Sequence, residues 1–400
     1  MSVAYLSDSK ADYKLLEQLI ESGEFGRIQK ATLPAEPEDE FWDKVLSRVH
    51  DTNREFMSTI DSDQVADLKS YRKNVTLPTR FDSWASYWIV SELVKDVKAA
   101  SDKLGITSDN FPEFATIPTK TVNALAVKPK GSAQSFLLFD GEILTFCHLI
   151  SKIFSQAFPV TNMDDRNSFT LDTSSIEHHI KASPHLLQRL SAVLDAFIKT
   201  GYVGCTPPFP VDPLSAPLMQ CLRKGMELFV VAHEFGHVHS GHLGDLLPSL
   251  EVISKRSPPS RAHEMEFEAD HIGLILTILA QRDSGLDVAM SIAGIKLLFL
   301  ALDLSDAYET AIKFGGKRKF ASIQSESHPS NQQRWDYIEA ALPSIGISPE
   351  EVSESRDLAA KLDVVSGIFL QLMLHAKTTP GRNDPCTCGS NKKYKKCCMP

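Results

Sequence analysis

Between Leu218 and Leu243 the chain holds no proline, while prolines crowd both sides, at 207, 208, 210, 213 and 217 and again at 258 and 259. One long helix over about 218–243 fits this pattern, because proline removes a backbone donor and clashes inside a helix. That helix carries Phe229-Val230-Val231-Ala232 and then His233-Glu234-Phe235-Gly236-His237. Its apolar run requires burial, so the rest of the fold must be built around it. Its polar residues constrain the fold further. Residues four apart lie one above the other on a helix, so His233 and His237 can reach a single metal ion. Glu234 lies beside that face, where a carboxylate can take a proton from a water acidified by the ion.

An open catalytic zinc site needs a third protein ligand. Ser240 and Leu243 stand where a metzincin would place its glycine and third histidine, so His239 and His242 read as outer neighbours or surface residues. A second helix is predicted over about 261–281, and it carries Glu266-Phe267-Glu268-Ala269-Asp270. Glu266 and Asp270 share a face. Glu266 is the expected third ligand, and Asp270 the expected hydrogen-bond partner behind a ligand imidazole. Ala269 is small enough for the two helices to approach closely, while Glu264 and Glu268 fall on another face and read as solvated.

Elsewhere, apolar spacing predicts helices within 11–21, 40–60 and 83–104, with a proline- and glutamate-rich loop at 33–39. Thr121–Lys128 and Ser135–Phe139 read as a β-hairpin across Pro129, Lys130 and Gly131. A helix is expected over about 141–157, a loop over 159–176 and a helix over 177–199. Further helices are expected at 287–303, 304–314, 330–342 and 349–376. The chain therefore divides into a helical N-terminal region (1–115), a central domain (116–379) and a short C-terminal piece (380–400) after Pro380-Gly381. The fold class is α+β and mostly α-helical.

Hydrophobic and charged contents of 42% and 23% are those of a globular chain. A net charge of −9 disfavours a general affinity of the body for nucleic acid or anionic membrane. Residues 381–400 run the other way: Arg382, Lys392, Lys393, Lys395 and Lys396 face only Asp384, a local +4 that leaves −13 on the rest. Met1–Lys14 lacks the apolar core of a secretory signal, and the most apolar stretches, 290–302 and 364–374, fall short of the roughly 20 residues a spanning helix needs. A cytoplasmic protein with no membrane partner is expected. Cysteine usage agrees, because Cys147, Cys205 and Cys221 are scattered while four cysteines crowd into 386–398.

HEFGH followed by EFEAD resembles the gluzincin peptidases of the HtpX and CAAX-prenyl-protease type and their soluble relatives. The resemblance covers roughly 116–342 and implies a zincin-like catalytic domain with zinc on His233, His237 and Glu266 and Glu234 as general base. Asn123-Ala124 with the following strand resembles the edge strand that such enzymes place beside the substrate, and the helix beginning GEILTFCHLISKIF resembles the one after it. His328-Pro329-Ser330 with Arg334 resembles a downstream H-P-x-x-x-x-R element, which implies an oxyanion-stabilising role for His328 and a buttressing role for Arg334. The chain departs from the family in having no membrane segments and in the long piece at 159–217. HEFGHxxxGH also resembles the soluble Lit-type phage-exclusion peptidases, which cut a host translation factor.

Cys386-Thr387-Cys388 and Cys397-Cys398 form a C-x-C-x8-C-C pattern, which suits a closed structural zinc site. So short a segment has almost no core, and metal binding would supply its folding energy. The alternative is a redox dithiol pair. PGRNDPCTCGSNKKYKKCC resembles the SEC-C motif at the end of the SecA translocation ATPase, which implies a docking module. Its lysines and Tyr394 suit an acidic protein surface, the ribosome or other RNA.

The expectation for the whole chain is a zinc endopeptidase with one catalytic and one structural Zn2+, acting on a protein substrate and recruited through its tail. The alternatives are a catalytically degenerate peptidase fold serving as a binding or sensor protein, and a zinc hydrolase of another kind. Oligomeric state is not legible.

Overall fold

A computed structural model of the chain describes residues 10–23, 70–106, 111–119, 121–163, 166–243, 259–314, 328–378 and 392–396. The helix expected within 40–60 and the loop at 33–39 lie outside these residues. Helices dominate the described part, with one three-stranded sheet and a small hairpin.

The sheet comes early. Helices α1 (Lys10–Glu21) and α2 (Trp84–Leu104) precede strands β1 (Glu113–Ile117), β2 (Ala124–Val127) and β3 (Phe136–Asp140). Strand order is β1-β3-β2. β2 and β3 are the expected antiparallel pair, with Ala126 opposite Leu137. β1 is an addition, parallel to β3 and spanning the boundary expected between residues 115 and 116. Phe136-Leu137-Leu138-Phe139 is apolar throughout because the central strand is buried on both faces. Phe136 and Leu138 pack with Tyr13, Leu16 and Ile20 of α1. Leu137 and Phe139 face the main core instead. The N-terminal helices are therefore part of the same packed body.

Helix α3 (Gly141–Ser155) starts at Asp140, whose carboxylate accepts from the Glu142 amide. The stretch expected as a loop at 159–176 contains a hairpin of β4 (Val160–Met163) and β5 (Arg166–Phe169). Four-residue strands of mixed polarity leave no readable alternation. The helix expected at 177–199 is two, α4 (Thr173–Ala182) and α5 (Pro184–Thr200), because Pro184 serves as the first residue of a new helix. Proline-rich 205–217 forms short 3-10 turns up to Ser215, and its last two residues open the next helix.

The core is built around α6 (Ala216–His239), which packs on α3, α7 (Pro259–Asp283) and α8 (Val288–Phe314). Helices expected at 287–303 and 304–314 are the single helix α8, since no proline or glycine interrupts 295–314. Val288–Ile312 is long and apolar enough to cross a membrane by composition, yet 83% of its 18-residue apolar window is buried within the fold, against α6 and α10 (Pro349–Thr378). Short α9 (Asn331–Ala341) sits between α8 and α10 in sequence and packs on α7 and α8.

Two glycines on α6 set how closely its partners approach. A Cβ on Gly225 would stand 2.9 Å from the Cα of Gly294 on α8. A Cβ on Gly236 would stand 2.9 Å from the Cα of Ala269 on α7. Gly236, between the two histidines, and Ala269, beside Asp270, are thus the contact that brings the two motif helices together.

Candidate metal centre

The two motif helices meet at their polar faces. His233 Nε2 and His237 Nε2 lie 3.1 Å apart, and each is 3.6 Å from a carboxylate oxygen of Glu266. These are the residues whose ligand atoms converge on one point among the described residues. Tetrahedral zinc with bonds of about 2.0–2.1 Å spaces its ligand atoms by about 3.3 Å. The observed separations match that spacing, and two imidazoles with one carboxylate leave a fourth position open. The donor set fits zinc.

The surroundings hold each ligand in the orientation this requires. His233 Nδ1 is 2.9 Å from Asp270 Oδ1, on a side chain with no solvent exposure. The Nδ1 hydrogen is thereby directed to Asp270, and the Nε2 lone pair is left for the site. Arg334 donates to both oxygens of Asp270, from Nε at 2.8 Å and Nη2 at 2.5 Å. Its Nη1 is 3.7 Å from Glu266, and its guanidinium lies 5.1 Å from the centre of the Phe299 ring. A capping box of Ser330 and Gln333 fixes the start of α9, while buried Trp335 and Ile338 anchor it, so Arg334 is aimed inward. Asp270 thus lies behind His233, and Arg334 behind Asp270.

On the other ligand, His237 Nδ1 is 2.9 Å from His242 Nδ1, and His242 Nε2 is 2.7 Å from Glu268 Oε2. Glu268, expected to be solvated, is half-exposed but tied to a buried histidine. Glu266 meets the two histidines of α6, while Glu268 meets His242 just past the end of α6. Glu264 does remain solvated, paired with Arg261. His239 is exposed, its ring stacked on Phe235.

Charge in this cluster is balanced internally. Burial opposes ionisation of Glu266, but the hydrogen bond from His328 and the charges of Arg334 and the histidines hold its carboxyl well below the usual range. Asp270 is likewise lowered, with burial opposed by Arg334. Burial and Arg334 work against charge on His233, but Asp270 and Glu266 carry its pKa above the ordinary value. His237 is pushed down to about 3 by burial and by His233.

Glu234 is buried and points toward β2, where the Ala126 amide donates to its carboxylate. Burial pushes its pKa up to about 7, against the pull of His233. A cation beside it would favour the carboxylate form. Asn123 and Ala124 lie at the start of the edge strand rather than facing Glu234. The Asn123 side chain accepts from the Ala124 amide, and its carbonyl accepts from the Asp140 amide. Ala126 is the strand residue that reaches the site. His328 Nδ1 lies 3.1 Å from Glu266 Oε1, so the structure places it against a ligand carboxylate. Cys386, Cys388, Cys397 and Cys398 lie outside the described residues; of the tail, Lys392, Lys393, Lys395 and Lys396 are described and exposed.

The SEC-C motif family matches residues 382–400. The chain is 26% identical to the protein translocase subunit SecA of Chlorobium phaeobacteroides over 43% of its own length and 15% of that protein. It is 78% identical to the SecA subunit of Prosthecochloris aestuarii over 44% of its length and 16% of that protein. A third likeness, 57% identical, is to the uncharacterized protein YecA of Escherichia coli, over 13% of this chain and 28% of that one. The chain spans less than a third of the length of these curated relatives. No solved structure matches it. The likeness to SecA rests in the C-terminal motif, so the chain carries a SEC-C motif at its C-terminus beyond a mostly helical body with a candidate metal centre.

Proposed function

We propose that the chain is a zinc endopeptidase with a zincin-like catalytic domain. The observation that carries this reading is the convergence of His233, His237 and Glu266 with buried Glu234 beside them. Zinc held by those three residues would supply Lewis-acid polarisation of a peptide carbonyl and acidify a water toward a pKa of about 7. Glu234 takes the proton of the attacking water at its carboxylate and returns it to the departing amine nitrogen. Arg334 and Asp270 hold His233 in one tautomer. Phe229 and Phe299, packed edge to face at 5.6 Å, help keep one side of the site dry. β2 is an edge strand of its sheet, so an extended peptide backbone can add to it beside Glu234. His328, on turning from Glu266, would serve as the oxyanion donor that the H-P-x-x-x-x-R resemblance implies.

The tail is proposed as a second zinc site on Cys386, Cys388, Cys397 and Cys398. Its exposed lysines would recruit the enzyme to an acidic protein surface or to RNA, in the cytoplasm. The test is a digest of a peptide library by the zinc-loaded full chain. Internal cleavage that stops on chelation and returns with zinc supports the reading, and an intact library overturns it. Metal analysis is expected to find two zinc ions per chain, falling to one in the variant with Cys397→Ser and Cys398→Ser. A single ion in the parent would remove the tail assignment.

A further inference from the structure

The end of α6 is shaped to bring one particular side chain under His237. Gly241 has φ +69°, the left-handed conformation that glycine adopts without strain. Its amide donates to the Val238 carbonyl at 3.1 Å, and the His242 amide donates to the His237 carbonyl at 3.0 Å. These two bonds form a Schellman turn, which reverses the chain as the helix stops. The reversal sets His242 edge to face against His237, with ring centres 5.1 Å apart, and leaves the His242 side chain 2% exposed. From there Nε2 reaches across to Glu268 on α7.

With both imidazoles neutral, the hydrogens fall in one self-consistent order along this line. Glu268, an acceptor when ionised, takes the Nε2 hydrogen of His242. His242 Nδ1 is then a lone pair, and the 2.9 Å contact requires His237 Nδ1 to carry the hydrogen. His237 Nε2 is left as a lone pair, facing His233 Nε2 and Glu266. Asp270 imposes the same outcome on His233 from the opposite side.

We propose that His242 and Glu268 are positioning residues for the metal centre. They hold His237 as the tautomer and in the orientation that ligation needs. The proposal rests on the metal-site reading above and adds a second orienting arm, independent of Asp270 and Arg334. Partners of this kind typically alter metal affinity by about 10–100-fold when removed.

The experiment measures zinc affinity by competition with a chromophoric chelator. It uses the full chain with Cys397→Ser and Cys398→Ser, so that only the helix site reports. His242→Phe keeps a ring but offers no acceptor, and is expected to weaken zinc about 10–100-fold. His242→Asn places an amide oxygen near the position of Nδ1 and is expected to recover most of that loss, which a purely space-filling role would not produce. Glu268→Met removes the outer acceptor at a half-exposed position, and an affinity about 10-fold weaker is expected. It decides the matter should His242→Phe fail to fold. Parental affinity in Glu268→Met, or an Asn variant as weak as the Phe variant, overturns the proposal and leaves the metal site standing. Failure of the parent to bind zinc overturns the metal-site reading itself.

Discussion

Glu234→Gln is expected to retain zinc and lose about 10²- to 10⁴-fold in kcat/KM, the range that a positioned general base contributes. The substitution preserves volume, and its amide oxygen can still accept from the Ala126 amide that the carboxylate uses now. What it cannot do is take a proton. Because Glu234 is not among the converging ligand atoms, zinc content should match the parent. Metal analysis beside steady-state kinetics on one cleaved peptide separates the two effects. A Gln variant as active as the parent would remove Glu234 from the mechanism. The same variant would hold uncleaved substrates, and capture followed by mass analysis would name them.

The largest stability effect is expected from Arg334→Met. Arg334 is the cation that balances Asp270 and helps balance Glu266, both buried. Breaking a buried ion pair by removing one partner costs about 3–5 kcal/mol, because a charge is left without compensation. A fall of that size is expected in denaturant unfolding of the metal-free chain. Adding Asp270→Asn removes the orphaned charge but keeps an acceptor for His233, so the double variant should recover much of the loss. The linkage with pH has a definite sign. Burial opposes ionisation of Asp270, but Arg334 holds its pKa below the ordinary value. Its contribution is therefore full above the unfolded carboxyl pKa of about 3.9 and is lost as pH falls through the folded value. Arg334→Met should flatten stability in that acid window. A single variant as stable as the parent would show that the pair carries no such balance.

The ligands of the candidate centre were legible because helical periodicity is local. His233 and His237 share a face by spacing alone, and Glu266 with Asp270 does the same. Long helices with clear proline boundaries, such as α6, were readable for the same reason. The hairpin of β2 and β3 was legible from two apolar runs around Gly131. β1 was not, because a parallel partner far along the chain leaves no local signature. The β4–β5 hairpin was too short and polar to show a period. Glu268 read as solvated because nothing in its own helix says that His242 will be folded back to meet it.

Taken alone, the sequence determined that two helices each present a matched pair of polar residues, and that a cysteine-rich basic motif ends the chain. Those properties follow from residues within a few positions of one another. The tertiary structure decided which faces meet. Gly236 against Ala269 sets the distance between α6 and α7, Gly241 turns His242 under His237, and the cap of α9 aims Arg334 at Asp270. Each depends on packing between segments distant in the chain, where spacing carries no information and only the close fit of small residues and buried charges selects the outcome.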